Sequence, residues 1–316
     1  MDQALEILVE ILQQPSFTED DLKREKVLQF ARIKKLRENN FSYPVSLFMQ
    51  TLFGEHGYAR TSIGTETALQ ALTKDDLQAW FKTNQRPLVP RIIIAGDTNG
   101  TGLVASIADA LTNEDLHERD LATLPVPSVA RGVKPDTVET AARQQTALVY
   151  GFPGVTRSGN DRFPLTVLEN IVSGLGGRFF DAIRDKQGLA DTVRTENAFY
   201  SKGGAVFTYV AFSTENEAKV RESLQKEIDR LRAEGVTADE VRKAIEYSVG
   251  EHEIGLQTRV GTVLEYARSI YAGEGIGGVA NYSTFIRRVT AADVKKAAQT
   301  YLDPQLLRVS VVRGTK

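Results

Sequence analysis

The chain has 316 residues, a net charge of −2, 41% hydrophobic and 25% charged residues, three histidines and no cysteine. This composition describes an ordinary globular protein of about two domains, and it excludes disulfides, thiol nucleophiles and thiolate metal sites. The near-neutral charge gives no general attraction to nucleic acid or acidic lipid. No run approaches the ~18 apolar residues of a membrane span, and MDQALEIL lacks the basic and then apolar regions of a signal peptide.

In chain order, Leu5, Leu8, Val9 and Leu12 form the stripe of an amphipathic helix over 3–13, stopped by Pro15. Thr18 and Asp21 predict a cap opening a long helix to about Arg37, and Thr73 with Asp76 opens another. RIIIAG (91–96), bounded by Pro90 and Gly96, reads as a buried strand. LPVPSVARGVKP (124–135) holds three of the ten prolines and reads as a linker. QTALVYGF (145–152) reads as a strand, followed by a helix opened by Asp161 and Pro164 and carrying Leu165, Leu168, Ile171 and Val172. That helix stops at GLGG (174–177). AVFTYVAFS (205–213) is β-branched and aromatic, hence a strand. Thr214 with Glu217 and Thr237 with Glu240 predict capping boxes for the next two helices, the first closed by Gly235. Helices at 257–272 and 290–302 and a strand at 307–312 complete the chain. The order predicts an α+β layer, a mainly antiparallel sheet with helices on one face.

The chain also repeats itself. Residues 72–96 align without a gap on 289–313, an offset of 217, placing Thr73 on Thr290, Asp76 on Asp293, Pro87 on Pro304 and Arg91 on Arg308. A second match lays 17–26 on 236–245, an offset of 219. Two stretches with nearly one spacing indicate two copies of a long module. The copies divide as 1–123, a linker at 124–135, and 136–316. By this arithmetic roughly 90 residues of the first copy are expected to precede Met1.

Chemistry is sparse. His56, His117 and His252 are too scattered for a metal site, and neither H-x-x-x-H nor G-x-S-x-G occurs. The glycines of VSGLGG follow a helix, whereas a phosphate loop follows a strand. Arg32, Lys34, Lys35 and Arg37 lack interleaved aromatics and read as a solvated helix face.

GLGGRFFDAIRDKQGLA (174–190) resembles the second domain of the insulinase/pitrilysin (M16) metallopeptidase family. PSFTEDDLKREKVL (15–28), LFGEHGYA (52–59), SIGTETALQALTKDDLQAWF (62–81) and IIIAGD (92–97) are similar to the latter half of its first domain. The resemblance implies two homologous α+β domains closing around a peptide, the first shortened at its front. In the family, zinc is held by an H-x-x-E-H helix and a glutamate further along. That helix would match 164–177 of the second copy and so belongs to the absent front of the first. The downstream ligand is often the second of two glutamates seven apart. The first matches Glu25, the second position is Arg32, and Glu38 is out of register. A guanidinium cannot ligate zinc. No cofactor is therefore expected in this chain, with zinc confined to a catalytic partner or a missing segment.

The family's second domain supplies an arginine and a tyrosine that donate to a carbonyl oxygen as it gains charge. Arg184 matches the arginine, but the tyrosine position is Asp191, leaving Tyr200 or Tyr209 as substitutes. Gly174, Gly176 and Gly177 are expected as a structural glycine loop. The resemblance thus implies a non-catalytic half of a zinc peptidase that encloses peptide or unfolded polypeptide, AVFTYVAFS being the strand for peptide addition. Its partner would be an M16-type catalytic domain or subunit, in a homo- or hetero-dimer, with the periplasm favoured over the cytoplasm. Two alternatives are a core-type structural homologue and a fragment of an active endopeptidase, the latter disfavoured by Arg32.

Overall fold

A computed structural model describes residues 2–315 other than 86–87, 90, 98–99, 112–116, 119–122, 133 and 175. Pro87 and Pro90, Val133 of the linker and the side chain of Leu5 lie outside the described ones. In chain order the helices and strands are α1 (Asp2–Gln13), α2 (Glu19–Glu38), α3 (Ser42–Phe53), α4 (Glu66–Ala71), α5 (Lys74–Trp80), α6 (Gly100–Leu111), β1 (Thr137–Ala141) and β2 (Gln145–Gly154). There follow α7 (Arg162–Val172), α8 (Arg178–Phe180), β3 (Thr192–Phe199), β4 (Gly204–Ser213), α9 (Glu217–Glu234) and α10 (Ala238–Gly255). The chain closes with α11 (Arg259–Tyr271), α12 (Gly275–Ala280), α13 (Tyr282–Ile286), α14 (Ala291–Tyr301) and β5 (Arg308–Gly314). Residues 1–37 and 61–124 form one compact unit; 38–60 and 125–316 form the other. The stretch 38–60, which carries α3, therefore packs with the residues after the proline-rich run.

The described part of the first unit is helical. Thr73 and Asp76 make a reciprocal cap on α5: Asp76 Oδ2 accepts from the Thr73 amide (2.8 Å) and hydroxyl (2.6 Å), and the Asp76 amide donates back to Thr73 Oγ1 (3.2 Å). Thr290 and Asp293 repeat it on α14 with distances of 2.9, 2.6 and 3.2 Å. Shifted by the repeat offsets, α1 falls on α9, α2 on α10, α4 on α13 and α5 on α14. Four helices of the first unit thus recur at the repeat spacing in the second.

Residues 91–96 depart from the expectation. They form no strand, and Ile92 and Ile94 are exposed. Their counterpart, β5, lies between β1 and β2. Counterparts of those two neighbours are absent among the described residues of the first unit, and an apolar run without a ladder partner is merely extended chain.

The second unit holds a five-stranded sheet in the order β1-β5-β2-β4-β3, antiparallel except for β1 against β5. Its three inner strands, β2, β4 and β5, are largely apolar runs because both of their faces are covered. Leu148, Tyr150, Phe152, Val206, Val210 and Phe212 point into the main core beneath the helices. Ala147, Val149, Ala205, Phe207, Tyr209 and Ala211, one residue out of phase, meet Phe48, Leu52 and Phe53 of α3. The helical layer is therefore not confined to one face: α3 covers part of the other. β4 pairs on both sides, with β2 and with β3, so it has no free edge for an added peptide. This corrects the expectation for AVFTYVAFS; a sheet's centre is richest in apolar residues and its edges are not.

The expected box of Thr214 and Glu217 does not form. Thr214 Oγ1 lies 2.8 Å from Thr146 Oγ1, and Glu217 instead receives Arg221 and Arg313, both at 2.9 Å. Asn216 precedes α9 without a side-chain cap. The Thr237–Glu240 box does form, and Glu240 serves twice. Its carboxylate also takes the Arg178 guanidinium through Nε (2.5 Å) and Nη2 (2.6 Å), while Arg178 Nη1 donates to the Gly235 carbonyl (3.0 Å). Arg178 and, less strongly, the cap hold the Glu240 carboxyl near 2. Its contribution is complete above its usual 4.5 and is lost as pH falls through about 2. Both side chains are largely buried, so deleting one leaves an uncompensated charge. Arg178→Ala is expected to destabilise the chain by about 3 kcal/mol in urea denaturation at neutral pH; a loss below about 0.5 kcal/mol would show the pair to be peripheral.

Candidate functional site

A cleft of about 840 Å³ runs beside β3, an edge strand, between the C-terminal half of α7, the glycine loop and α10. Local sequence builds each wall. Gly174 ends α7 with φ +80°, a conformation that costs other residues energy. A Cβ on Gly177 would sit 2.3 Å from the Ser173 carbonyl oxygen, so the loop closes only on glycine. Gly176 has open space around it. Asn170 Nδ2 donates to Ser248 Oγ (2.7 Å), tying α7 to α10.

The outer edge of β3 is partly occupied by α7. The Thr195 amide donates to Ser173 Oγ (3.0 Å) and the Asn197 amide to Glu169 Oε2 (3.2 Å). Asn197 Nδ2 reaches the same carboxylate oxygen at 2.7 Å and the Leu165 carbonyl at 2.9 Å. Burial pushes the Glu169 carboxyl up to about 7 against those hydrogen bonds, with Glu196 and Glu251 adding to the rise.

The expected site residues are dispersed. Arg184 is exposed on a π-turn over Asp181–Asp185, its guanidinium 4.6 Å from the Phe180 ring centre. Asp181 pairs with Lys186 (2.5 Å) rather than with Arg184. Asp191 accepts from Gln145 Nε2 (2.7 Å). Tyr209 is buried under α3, its hydroxyl donating to the Asn40 carbonyl (2.8 Å). Tyr200 stacks on Tyr58 with ring centres 4.4 Å apart, and both line a second cavity of about 560 Å³ with Arg157, Arg268 and Tyr271. Among the described residues no hydrogen bond or ring contact joins Arg184 to either tyrosine.

The histidines stay apart. His56 Nδ1 accepts from the Tyr58 amide (3.1 Å), His117 makes an isolated bridge with Leu88, and His252 stacks on Tyr282 (4.2 Å). Arg32 is exposed on α2 and donates to Gln29 Oε1 (3.1 Å); Glu25 and Glu38 are exposed on the same helix. Among the described residues no three His, Cys, Asp or Glu side chains gather to hold a metal. The residues present therefore do not fit the zinc ion that the resemblance implies.

Glu169, Asn197 and Glu251 were not singled out from the sequence. Two signals mark them: Glu169 interrupts the apolar run of α7, and Glu251 is the counterpart of Arg32 under the offset of 219.

The comparisons agree with this architecture. Residues 71–247, more than half of the chain, match the family described as the peptidase M16 inactive domain. The chain belongs to that family. It is 22% identical over 308 residues to an uncharacterized zinc protease of Streptomyces coelicolor, covering 95% of this chain and 66% of that one. It is also 22% identical over 262 residues to the uncharacterized zinc protease YmxG of Bacillus subtilis, covering 81% and 61%. The chain thus spans about two thirds of the length of these relatives. A crystal structure of a peptidase M16 inactive domain from Pseudomonas fluorescens superposes with a TM-score of 0.85 at 19% identity, over 100% of this chain and 75% of that one. A protease from Helicobacter pylori gives 0.81 at 17%, over 99% and 76%.

A carboxyl whose folded pKa exceeds its unfolded one gains a proton on folding, so stability falls as pH rises from 4.5 to about 7. For Glu169 the loss is about 3 kcal/mol at ~1.4 kcal/mol per unit. Urea denaturation at about pH 5 and pH 8 should show this decrease in the wild type and not in Glu169→Gln. Parallel profiles would contradict a buried, reluctantly ionised Glu169.

Proposed function

We propose that this chain is the non-catalytic half of an M16-type zinc peptidase, enclosing peptide for a catalytic partner that hydrolyses it. The observation that carries this reading is the combination of an open cleft beside an edge strand with Arg32 where the family places a zinc ligand. The relatives named as zinc proteases, which are longer than the matched region, are consistent with a metal centre held elsewhere. No helix among the described residues is long and apolar enough to cross a membrane, which suits a partner met in solution.

Within this reading Arg184 is the residue offered to the partner's substrate. Its guanidinium is exposed, steadied by Phe180 and able to donate several hydrogen bonds to a peptide carbonyl. Asp191 stands at the family's tyrosine position and is taken up by Gln145, so Arg184 acts without the family's tyrosine. Tyr209 is committed to Asn40, and Tyr200 contributes to the aromatic wall of the smaller cavity.

One observation favours a second reading, a structural homologue with no part in proteolysis. The outward amides of Thr195 and Asn197 are already taken by α7, which closes that part of β3 to strand addition.

Two measurements separate the readings. Elemental analysis of the purified chain should find well under one zinc per chain; one tightly bound zinc per chain overturns the metal-free assignment. Mixing the chain with a catalytic M16 homologue should raise peptide hydrolysis, and Arg184→Ala should lower it on the order of tenfold or more. If the chain has no effect on hydrolysis, the structural reading stands instead.

A further inference from the structure

The second cavity, of about 560 Å³, lies wholly within the second unit and shares only Asn197 with the cleft beside the glycine loop. Four aromatic side chains line it, Tyr58, Phe199, Tyr200 and Tyr271. Most of this wall is fixed by the fold. Tyr58 and Tyr200 stack on each other, and Phe53 meets both edge-on, with ring centres 5.6 and 6.1 Å away. His56 holds the Tyr58 turn, accepting from its amide at Nδ1 while Nε2 lies 3.0 Å from the Pro125 carbonyl. The Lys202 amide donates to the Tyr58 hydroxyl (3.0 Å), and the Arg157 amide donates to the Tyr200 carbonyl (2.9 Å).

Charge decides what such a box takes. Aromatic faces alone attract cations. Here, however, Arg157 and Arg268 line the cavity, and among the described residues no aspartate or glutamate does. Both arginines belong to an array in which Glu265 receives Arg157 (2.5 Å) and Arg268 (3.6 Å), and Glu274 receives Arg162 (2.6 Å) and, at 3.8 Å, Arg157. Three guanidiniums thus share two carboxylates among the described residues, leaving one positive charge in excess. Arg268 carries that excess to the cavity: its side chain is 63% exposed, and its contact with Glu265 is longer than a hydrogen bond. Among the described residues no hydrogen bond engages the hydroxyls of Tyr200, Ser201 and Tyr271, which are left to donate.

We propose that this cavity binds an organic monoanion in which a carboxylate sits beside an aromatic ring, the ring held by the tyrosine wall and the carboxylate by Arg268. The volume is that of a small-molecule site, and a mostly apolar lining with a few placed donors is how such sites select their ligands. A guanidinium matches a carboxylate through two parallel hydrogen bonds, and a neutral amide cannot replace that charge. A cationic ligand would meet two guanidiniums and no lining acid. Two sources share this chemistry, a free aromatic acid and the last residue of a polypeptide. The inference stands apart from the peptide-holding reading and survives its failure.

The test is isothermal titration calorimetry on the full chain with N-acetylphenylalanine, its C-terminal amide, and a peptide ending in phenylalanine with a free carboxylate. The acid should bind roughly tenfold or more tightly than the amide. Arg268→Gln, at an exposed position, should bring the acid down to the level of the amide with the melting temperature unchanged, and Arg268→Lys should keep part of the preference. Tyr271→Ala should weaken acid and amide alike. Tighter binding of the peptide than of the free acid supports the inference with a chain end as the source, and weaker binding supports it with a free acid. Equal binding of acid and amide overturns it, as does a preference untouched by Arg268→Gln. Displacement of the acid by inorganic phosphate at equal concentration overturns it in favour of a simple anion site, and no binding of any of the three compounds overturns it outright.

Discussion

The contact between Arg178 and Glu240 fixes the part of the molecule where function is sought. Arg178 follows the glycine loop, and Glu240 lies in the first turn of α10. One carboxylate therefore caps a helix and, at the same time, clamps the exit of α7 onto it. Because both groups are largely shielded, the geometry has to be good or the pair would cost more than it contributes. The bidentate match of guanidinium to carboxylate meets that condition. The walls of the cleft, α7 and α10, are tied at one end by this pair, through the segment after the glycine loop, and joined further along by Asn170 and Ser248.

That arrangement clarifies what the second copy has in place of a metal centre. In the second unit α7 carries Glu169 and α10 carries Glu251. No third ligand completes a coordination sphere among the described residues. The carboxylates instead line an open cleft bordered by a strand edge. The first copy, with Arg32, has the opposite charge at the equivalent position. The Thr-x-x-Asp capping box recurs in both units.

The legible parts of the fold were those set by local chemistry. The caps at Thr73, Thr237 and Thr290, the apolar stripe of α7 and the runs of β2, β4 and β5 follow from periodicity and short-range hydrogen bonding. The failures required knowledge of neighbours. RIIIAG has the composition of β5 but lacks flanking strands, and Thr214 has the right spacing to Glu217 but is drawn to Thr146. The chemistry of AVFTYVAFS says strand, and only the pairing pattern says that it is interior. In the candidate site, the glycine loop and Arg184 were visible as a motif, whereas Glu169 and Asn197 become meaningful only when α7 is laid along the edge of β3. Tyr200 and Tyr209, chosen as substitutes for a missing tyrosine, face surroundings unconnected with Arg184.

The central claim is that the chain holds peptide in the cleft between α7, β3 and α10. Hydrogen–deuterium exchange with and without a saturating, C-terminally amidated peptide tests it most directly. The account predicts slowed exchange in 164–177, 192–199 and 240–251, with the rest of the second unit unchanged. Protection confined to the Tyr58–Tyr200 cavity, or to the exposed face of α11, would contradict it.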